Sequence, residues 1–169
     1  MMSDLMGCTF SAQLHAASDQ VSGYIALAPK TPWLVVGKHR EAAVSLRFEY
    51  LGRLEQRFHY AITAAQGAGA YEGWALGISL NGYLGFYQPG SVRNQWKVEV
   101  TAKGNGKEPM RFWLRDAEGS RAGVFSKSSY RLPGVGQLEI PVEQNDYLNV
   151  KSGPILEFQP DLTRCVRET

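Results

Sequence analysis

Cysteine is scarce: a chain of 169 residues carries two, Cys8 and Cys165, near its opposite ends. Two thiols cannot build the disulfide framework that replaces a large core in small secreted domains. Neither has a second cysteine or a histidine at metal-ligand spacing, which argues against a structural zinc site. One end-to-end bridge would require the termini to meet, and two reduced thiols are the simpler reading. Charge of one sign is missing too. The 18 Lys+Arg and 16 Asp+Glu leave a formal net charge of +2 and are interspersed along the chain. That removes the dense basic footprint of a nucleic-acid partner.

Long apolar runs are absent. Arg, Glu or Gly interrupts every apolar stretch before it reaches the roughly 20 residues of a membrane-spanning helix. Leu5-Met6-Gly7-Cys8 has the outline of a lipoprotein cleavage box, but Asp4 adjoins it and no apolar region leads into it. The chain therefore reads as soluble, and cytoplasmic by default.

Signatures of catalysis are also lacking. There is no Gly-x-Ser-x-Gly elbow and no glycine-rich phosphate loop followed by Lys-Ser or Lys-Thr. His15, His39 and His59 fall outside the spacings of zinc peptidases and metal-binding cupins. Glu49, Glu99, Glu139 and Glu157 read as mid-strand acids on polar faces, which is how a solvated surface looks. Jelly-roll glycosidases, however, set two such carboxylates across a cleft. The expectation is a protein that is not an enzyme, with no cofactor and no metal.

Glycine and aromatics are plentiful: 18 Gly beside 8 Tyr, 7 Phe and 4 Trp, in a chain 44% hydrophobic and 20% charged. Glycine supplies positive φ for tight turns, and aromatics suit half-buried pleated surfaces. The apolar pattern has a period of two over most of the length. Val44, Leu46, Phe48 and Tyr50 alternate with Ser45, Arg47 and Glu49, and Phe58, Tyr60 and Ile62 repeat the pattern. This predicts a hairpin over 43–64, turning across Gly52-Arg53-Leu54-Glu55, with Val44, Leu46, Phe48, Phe58, Tyr60 and Ile62 buried. Asn81-Gly82 lies between two alternating segments and predicts a two-residue turn with both residues at positive φ.

The C-terminal half continues in the same way. Segments 96–102 and 110–115 alternate around a turn at Gly104-Asn105-Gly106, and Asp116-Ala117-Glu118-Gly119 turns the chain again. Segments 138–142, 147–150 and 155–158 complete about ten to twelve short strands, with Pro141 marking an edge or a bulge. Residues 1–23 show no sustained period; Phe10, Leu14, Ala17 and Val21 fall three or four apart and fit a short helical or irregular segment. Gln66-Gly67-Ala68-Gly69-Ala70 reads as a flexible surface loop, and no repeat of fixed length is seen. The expected architecture is one all-β domain over 1–169, an antiparallel β-sandwich of jelly-roll type, with a barrel as second choice.

Aromatic phase gives the binding candidates. Met110, Phe112 and Leu114 share one strand face, so Trp113 points the other way, flanked by Arg111 and Arg115. An indole between cations suits the C–H face of a sugar ring or a partner side chain; the competing reading is a ring stacked under an arginine. Tyr71 and Trp74, beside the small-residue loop, form a second candidate site. Trp33 and Trp96 read as core or sheet edge. Tyr83, Phe86 and Tyr87 straddle both faces of one strand, so part of that group must be exposed unless both faces are covered. Segment 96–158, with a Trp-led alternating strand, an aromatic strand ending in Asp116-x-x-Gly119, and the strands Leu138-Glu139-Ile140-Pro141 and Tyr147-Leu148-Asn149-Val150, resembles jelly-roll carbohydrate-binding modules in strand pattern, a likeness of fold that carries no family-specific motif. The expected function is non-catalytic binding, most simply of carbohydrate, through Trp113, Arg111, Arg115, Tyr71 and Trp74. The alternative is a structural or interaction subunit of a larger assembly, with a protein partner or further copies of the chain. A peripheral membrane binder is the weaker alternative.

Overall fold

The computed structural model describes residues 5–104, 109–131 and 140–168. Within them the alternating segments form thirteen strands, all paired antiparallel. They are β1 (Phe10–Ala17), β2 (Ser22–Leu27), β3 (Leu34–Gly37), β4 (Ser45–Leu54), β5 (Arg57–Ala64), β6 (Ala75–Ile78) and β7 (Leu84–Tyr87). The rest are β8 (Trp96–Ala102), β9 (Arg111–Arg115), β10 (Gly123–Arg131), β11 (Ile140–Asn149), β12 (Glu157–Pro160) and β13 (Val166–Arg167). No helix among the described residues is long and apolar enough to cross a membrane.

Six strands close a ring. β1 pairs with β4, β4 with β5, β5 with β8, β8 with β9, β9 with β12, and β12 with β1 again. Closure removes the unpaired edges that an open sheet would present. The hairpins β2–β3, β6–β7 and β10–β11 extend from one end of this barrel. They meet one another through Tyr147↔Val35, Trp33↔Gly85 and Tyr83↔Asn149. The chain thus passes through three successive units, 10–54, 57–102 and 111–160, each giving two barrel strands and one hairpin of the cap. This is a closed six-stranded barrel with added hairpins rather than a clear jelly-roll sandwich. The repetition escapes a fixed-period search because the hairpins differ in length.

Aromatic rings fill the barrel. Phe10 stacks on Phe48 with centroids 4.7 Å apart, Phe48 meets Phe112 edge-on at 6.3 Å, and Phe112 stacks on Phe158 at 5.8 Å. All four are buried, and each fully buried ring contributes on the order of 2–3 kcal/mol of apolar burial. Leu34, Leu84 and Leu148, one from each cap hairpin, join the same core. Trp96 is buried beside them and donates its indole N–H to the Leu76 carbonyl at 3.1 Å.

Several expectations are corrected. The N-terminal segment is neither helical nor irregular. It is β1, burying Phe10, Ala12, Leu14 and Ala16 in strict alternation and pairing with β2, β4, β12 and β13. A spacing of four fits both periods, and alanines at the intervening core positions are too small to announce alternation. The 43–64 hairpin buries Val44, Leu46, Phe48, Tyr60 and Ile62, with Phe58 half-buried. Its turn falls at Glu55-Gln56, between Leu54 and Arg57, because Gly52 is taken up by a bulge opposite His59.

At the β6–β7 turn, Ile78↔Leu84 are the last strand pair, the Ser79 N–H donates to the Tyr83 carbonyl, and the Gly82 N–H donates to the Ser79 carbonyl. Gly82 alone takes positive φ, at 90°, and Asn81 does not. This is a three-residue loop with a glycine bulge rather than the mirror-image two-residue turn. Segments 138–142 and 147–150 are not separate: β11 runs unbroken from 140 to 149, with a register shift opposite Ser129/Tyr130 that accommodates Pro141. Residues 138–139 of the first segment, and Asn105 and Gly106 of the expected turn, lie outside the described residues. The 66–70 loop is anchored, with Ala68 in the core and Gly69–Tyr71 forming a single 3-10 turn. The termini do meet, as β13 pairs with β1 in the register Phe10↔Arg167 and Ser11↔Val166, but no disulfide joins Cys8 to Cys165.

Candidate functional site

Trp113 stands on the outer wall of the barrel. Phe112 and Leu114 are buried, and Trp113 between them is half-exposed on the opposite face of β9. Its ring is attended by two guanidinium groups, Arg121 at 4.8 Å and Arg115 at 5.8 Å from the centroid. Arg115 is fixed from two sides: its Nε donates to Glu99 Oε1 at 2.9 Å and its Nη1 to the Gly119 carbonyl at 2.8 Å. The Asp116-to-Gly119 turn supplies that carbonyl. It is held by Asp116 Oδ1, which accepts from the N–H groups of Glu118 at 3.0 Å and Ser120 at 2.8 Å.

Glu99 also lies 3.6 Å from Arg57, while Arg111 lies 3.5 Å from Glu157, whose other oxygen accepts from the Thr101 hydroxyl at 2.7 Å. Thus Arg111, Trp113 and Arg115 share one face, as the phase of β9 predicts. The two carboxylates flanking Trp113 serve as acceptors for arginines. Arg121 was not read as part of this group. Its bridge to Arg115 across the turn brings it there, a contact between segments that strand phase alone does not encode.

Tyr71 and Trp74 are placed differently. They meet edge-on with centroids 5.1 Å apart, and both pack against the main core. Both rings are half-buried, and through them the 66–74 loop is seated on the core.

Among the described residues, the largest connected set of half-exposed rings lies at the cap. Tyr83 contacts Trp33 at 6.4 Å, Phe125 at 6.2 Å and Tyr147 at 5.5 Å, and Trp33 contacts Tyr87 at 6.2 Å. None of the five is packed against the main core; Tyr147 packs on the small outer cluster of Ala26, Ala28 and Val35. Trp33, Tyr83 and Tyr147 each precede the buried leucine or valine-rich strand segment of their own hairpin, at Leu34, Leu84 and Leu148. One ring from each of the three units therefore converges on the place where the hairpins meet.

Glycines make room for these rings. A Cβ on Gly85 would stand 2.5 Å from Trp33 Cε3, and one on Gly77 would stand 2.8 Å from Tyr87 Cδ2. Burial pushes the Tyr87 phenol up from its ordinary value. Asn149 is buried below and holds the neighbouring turns, donating to the Asn81 carbonyl at 3.1 Å and accepting from Lys151 and Ser152. Polar groups ring the aromatic patch: Lys127 pairs across from Asn145 on the same face as Phe125 and Tyr147, and the Asn145 amide donates to the Tyr147 hydroxyl at 3.3 Å. Strand phase requires part of Tyr83, Phe86 and Tyr87 to be exposed without saying which, reads Trp33 as core or sheet edge, and gives no sign that Tyr147 and Phe125 join the same surface.

A polar cleft of about 430 Å³ opens on another part of the wall, lined by His15, Tyr24, Arg40, Gln159, Asp161 and Thr163. Its charges are mutually satisfied, since Arg40 donates to Asp161 at 2.7 Å and to Thr163 at 2.8 Å. Among the described residues, no group of three or more His, Cys, Asp or Glu is placed to hold a metal ion. No family model, curated protein or solved structure matches this chain.

Proposed function

We propose that the protein is a non-catalytic binding module for carbohydrate, and that the aromatic cap is its stacking surface. The observation that carries this reading is the convergence of Trp33, Tyr83 and Tyr147 outside the core, extended by Tyr87 and Phe125. Rings seated on glycine backbone offer flat apolar faces, and the amide, hydroxyl and ammonium groups of Asn145, Tyr147 and Lys127 supply directional hydrogen bonds beside them. That combination suits a sugar, which has an apolar C–H face and a polar rim. Glu99 and Glu157, engaged by arginines, act in this reading as parts of the wall.

A second reading, an interaction subunit of a larger assembly, draws on Leu80, which is 94% exposed in the β6–β7 loop, three residues before Tyr83. A partner that covered this loop together with the Tyr83 ring would remove both from water. Two measurements on the purified chain separate the readings. Light scattering behind size-exclusion chromatography is expected to find a monomer, and a glycan array is expected to show selective binding. A defined oligomer that binds no glycan would replace the first reading with the second.

A further inference from the structure

The barrel wall carries a cross-strand row of basic side chains. His59 pairs with Lys97, Lys97 with Arg115, and Arg115 with Arg121. Four neighbours on one face span three strand spacings, roughly 14 Å at about 4.8 Å each. Like charges directly opposite one another destabilise a sheet, so such a row is costly unless something compensates it. Glu99, in the adjacent row, compensates in part and is shared by Arg115 and Arg57. Glu55 lies at the hairpin end of the same wall, lining a groove of about 370 Å³ with Arg57, His59, Lys97 and Glu99. Glu118 lines a different cleft, beside Arg93 and Lys151. Among the described residues neither Lys97 nor Arg121 has an ion pair, and the Arg121 guanidinium stands over the ring of Trp113.

We infer that this row binds a sulfated glycan chain, laid across β5, β8 and β9 with the Trp113 edge beside it. The inference rests on the carbohydrate reading above and specifies an anionic class of ligand at a second surface. Length is the first reason: a row of this span accommodates several anionic groups in series rather than one isolated ion. Chemistry is the second. The exposed Arg121 guanidinium is a planar fork suited to two oxygens of one anion, and the Lys97 ammonium adds a mobile point charge. Arg115, whose Nε and Nη1 are given to Glu99 and the Gly119 carbonyl, adds only its positive charge beside them. The third reason is what the wall lacks. A single-stranded nucleic acid would use a series of large stacking rings along its path. Among the described residues this wall offers one indole, already attended by two arginines, besides the His59 imidazole.

The test uses the full chain and a size-defined heparin octasaccharide as probe, with calorimetric titration at several salt concentrations. Wild type is expected to bind, and the double variant Lys97→Gln/Arg121→Gln to lose at least about tenfold in affinity. By analogy with counterion release from polyanions, its log K against log salt slope is expected to fall by roughly two, near one per charge removed. Arg115 is left in place because it anchors Glu99 and the turn. The variant Arg167→Gln, on the exposed C-terminal strand, is expected to bind like wild type. Unchanged melting temperatures will show that all variants are folded. The inference is overturned if wild type ignores the octasaccharide, if the double variant binds as wild type does, or if single-stranded DNA of similar charge binds equally and is lost equally. Loss of octasaccharide binding in a Tyr83→Ala variant alone would also overturn the row as the site, while leaving carbohydrate binding at the cap intact. Failure of the row with neutral glycans still held at the cap would likewise spare the broader reading.

Discussion

The indole of Trp33 rests on Gly85, in the bridge that joins the first and second cap hairpins. Trp33 Cε3 and Cζ3 lie 2.5 and 2.8 Å from the position a Cβ would take on Gly85, and the Pro32 carbonyl lies 3.0 Å from it. A rigid ring and a backbone oxygen cannot both withdraw. Gly85→Ala is therefore expected to cost about 1–3 kcal/mol through overpacking and to lift the ring from its seat. Chemical denaturation monitored by fluorescence checks this; an unchanged midpoint would show that the ring is not held there.

The β6–β7 loop separates two kinds of turn. Gly82 has φ of 90°, and a Cβ on it would stand 2.8 Å from Asn149 Oδ1 and from Lys151 Cγ. Gly82→Val is expected to cost about 1–3 kcal/mol from positive φ alone. Asn81→Ala is expected to change stability by no more than about 0.5 kcal/mol, because Asn81 does not adopt positive φ. Equal losses in the two variants, measured by thermal melting, would restore the mirror-image turn.

Phe112 and Trp113 are adjacent in sequence and opposite in environment. Phe112 is buried between Phe48 and Phe158, whereas Trp113 lies outside under Arg121. Phe112→Ala is expected to cost about 3–5 kcal/mol, and Trp113→Ala about 1 kcal/mol or less. Urea titration of both variants checks the contrast, and the reverse order would mean that β9 is out of register.

This pair also shows how far the sequence was legible. Where large apolar residues alternate with charged ones, as in β4, β5, β8 and β9, the period of two marks both strand and buried face. It fails in β1, where Ala12 and Ala16 occupy core positions without the bulk that would make alternation visible. It also fails to show ring closure, since the pairings β1–β12 and β5–β8 join segments far apart in the chain. The wall site around Trp113 was partly legible, because strand phase alone puts Arg111, Trp113 and Arg115 together. The cap was not. Trp33, Tyr83 and Tyr147 come from three units with unequal hairpins, and only their meeting in space makes them one surface.

Asp161 gives a pH dependence with a definite sign. Burial pushes its carboxyl up, but hydrogen bonds from Thr163 and Arg40 and the charge of Arg40 outweigh that and hold it below the usual aspartate range. A carboxyl with a depressed folded value stabilises the fold fully above its unfolded value, near 3.9. The contribution is lost as pH falls through the lower, folded value. Asp161→Asn is therefore expected to be less stable than wild type at neutral pH, with the gap closing below about pH 3.9. Denaturation at pH 7 and pH 2.5 checks this; a gap that stays constant would assign the loss to packing rather than charge.

The central claim is that the cap rings bind sugar, and Tyr83 is the residue to ask, since it touches Trp33, Phe125 and Tyr147 together. The direct measurement is glycan-array binding of wild type and Tyr83→Ala, with the melting temperature of each recorded. The predicted result is selective binding by wild type and a fall of at least about tenfold in the variant, equivalent to roughly 1.4 kcal/mol, with the melting temperature within a few degrees. A wild type that binds no glycan, or a folded Tyr83→Ala that binds as wild type does, would contradict it.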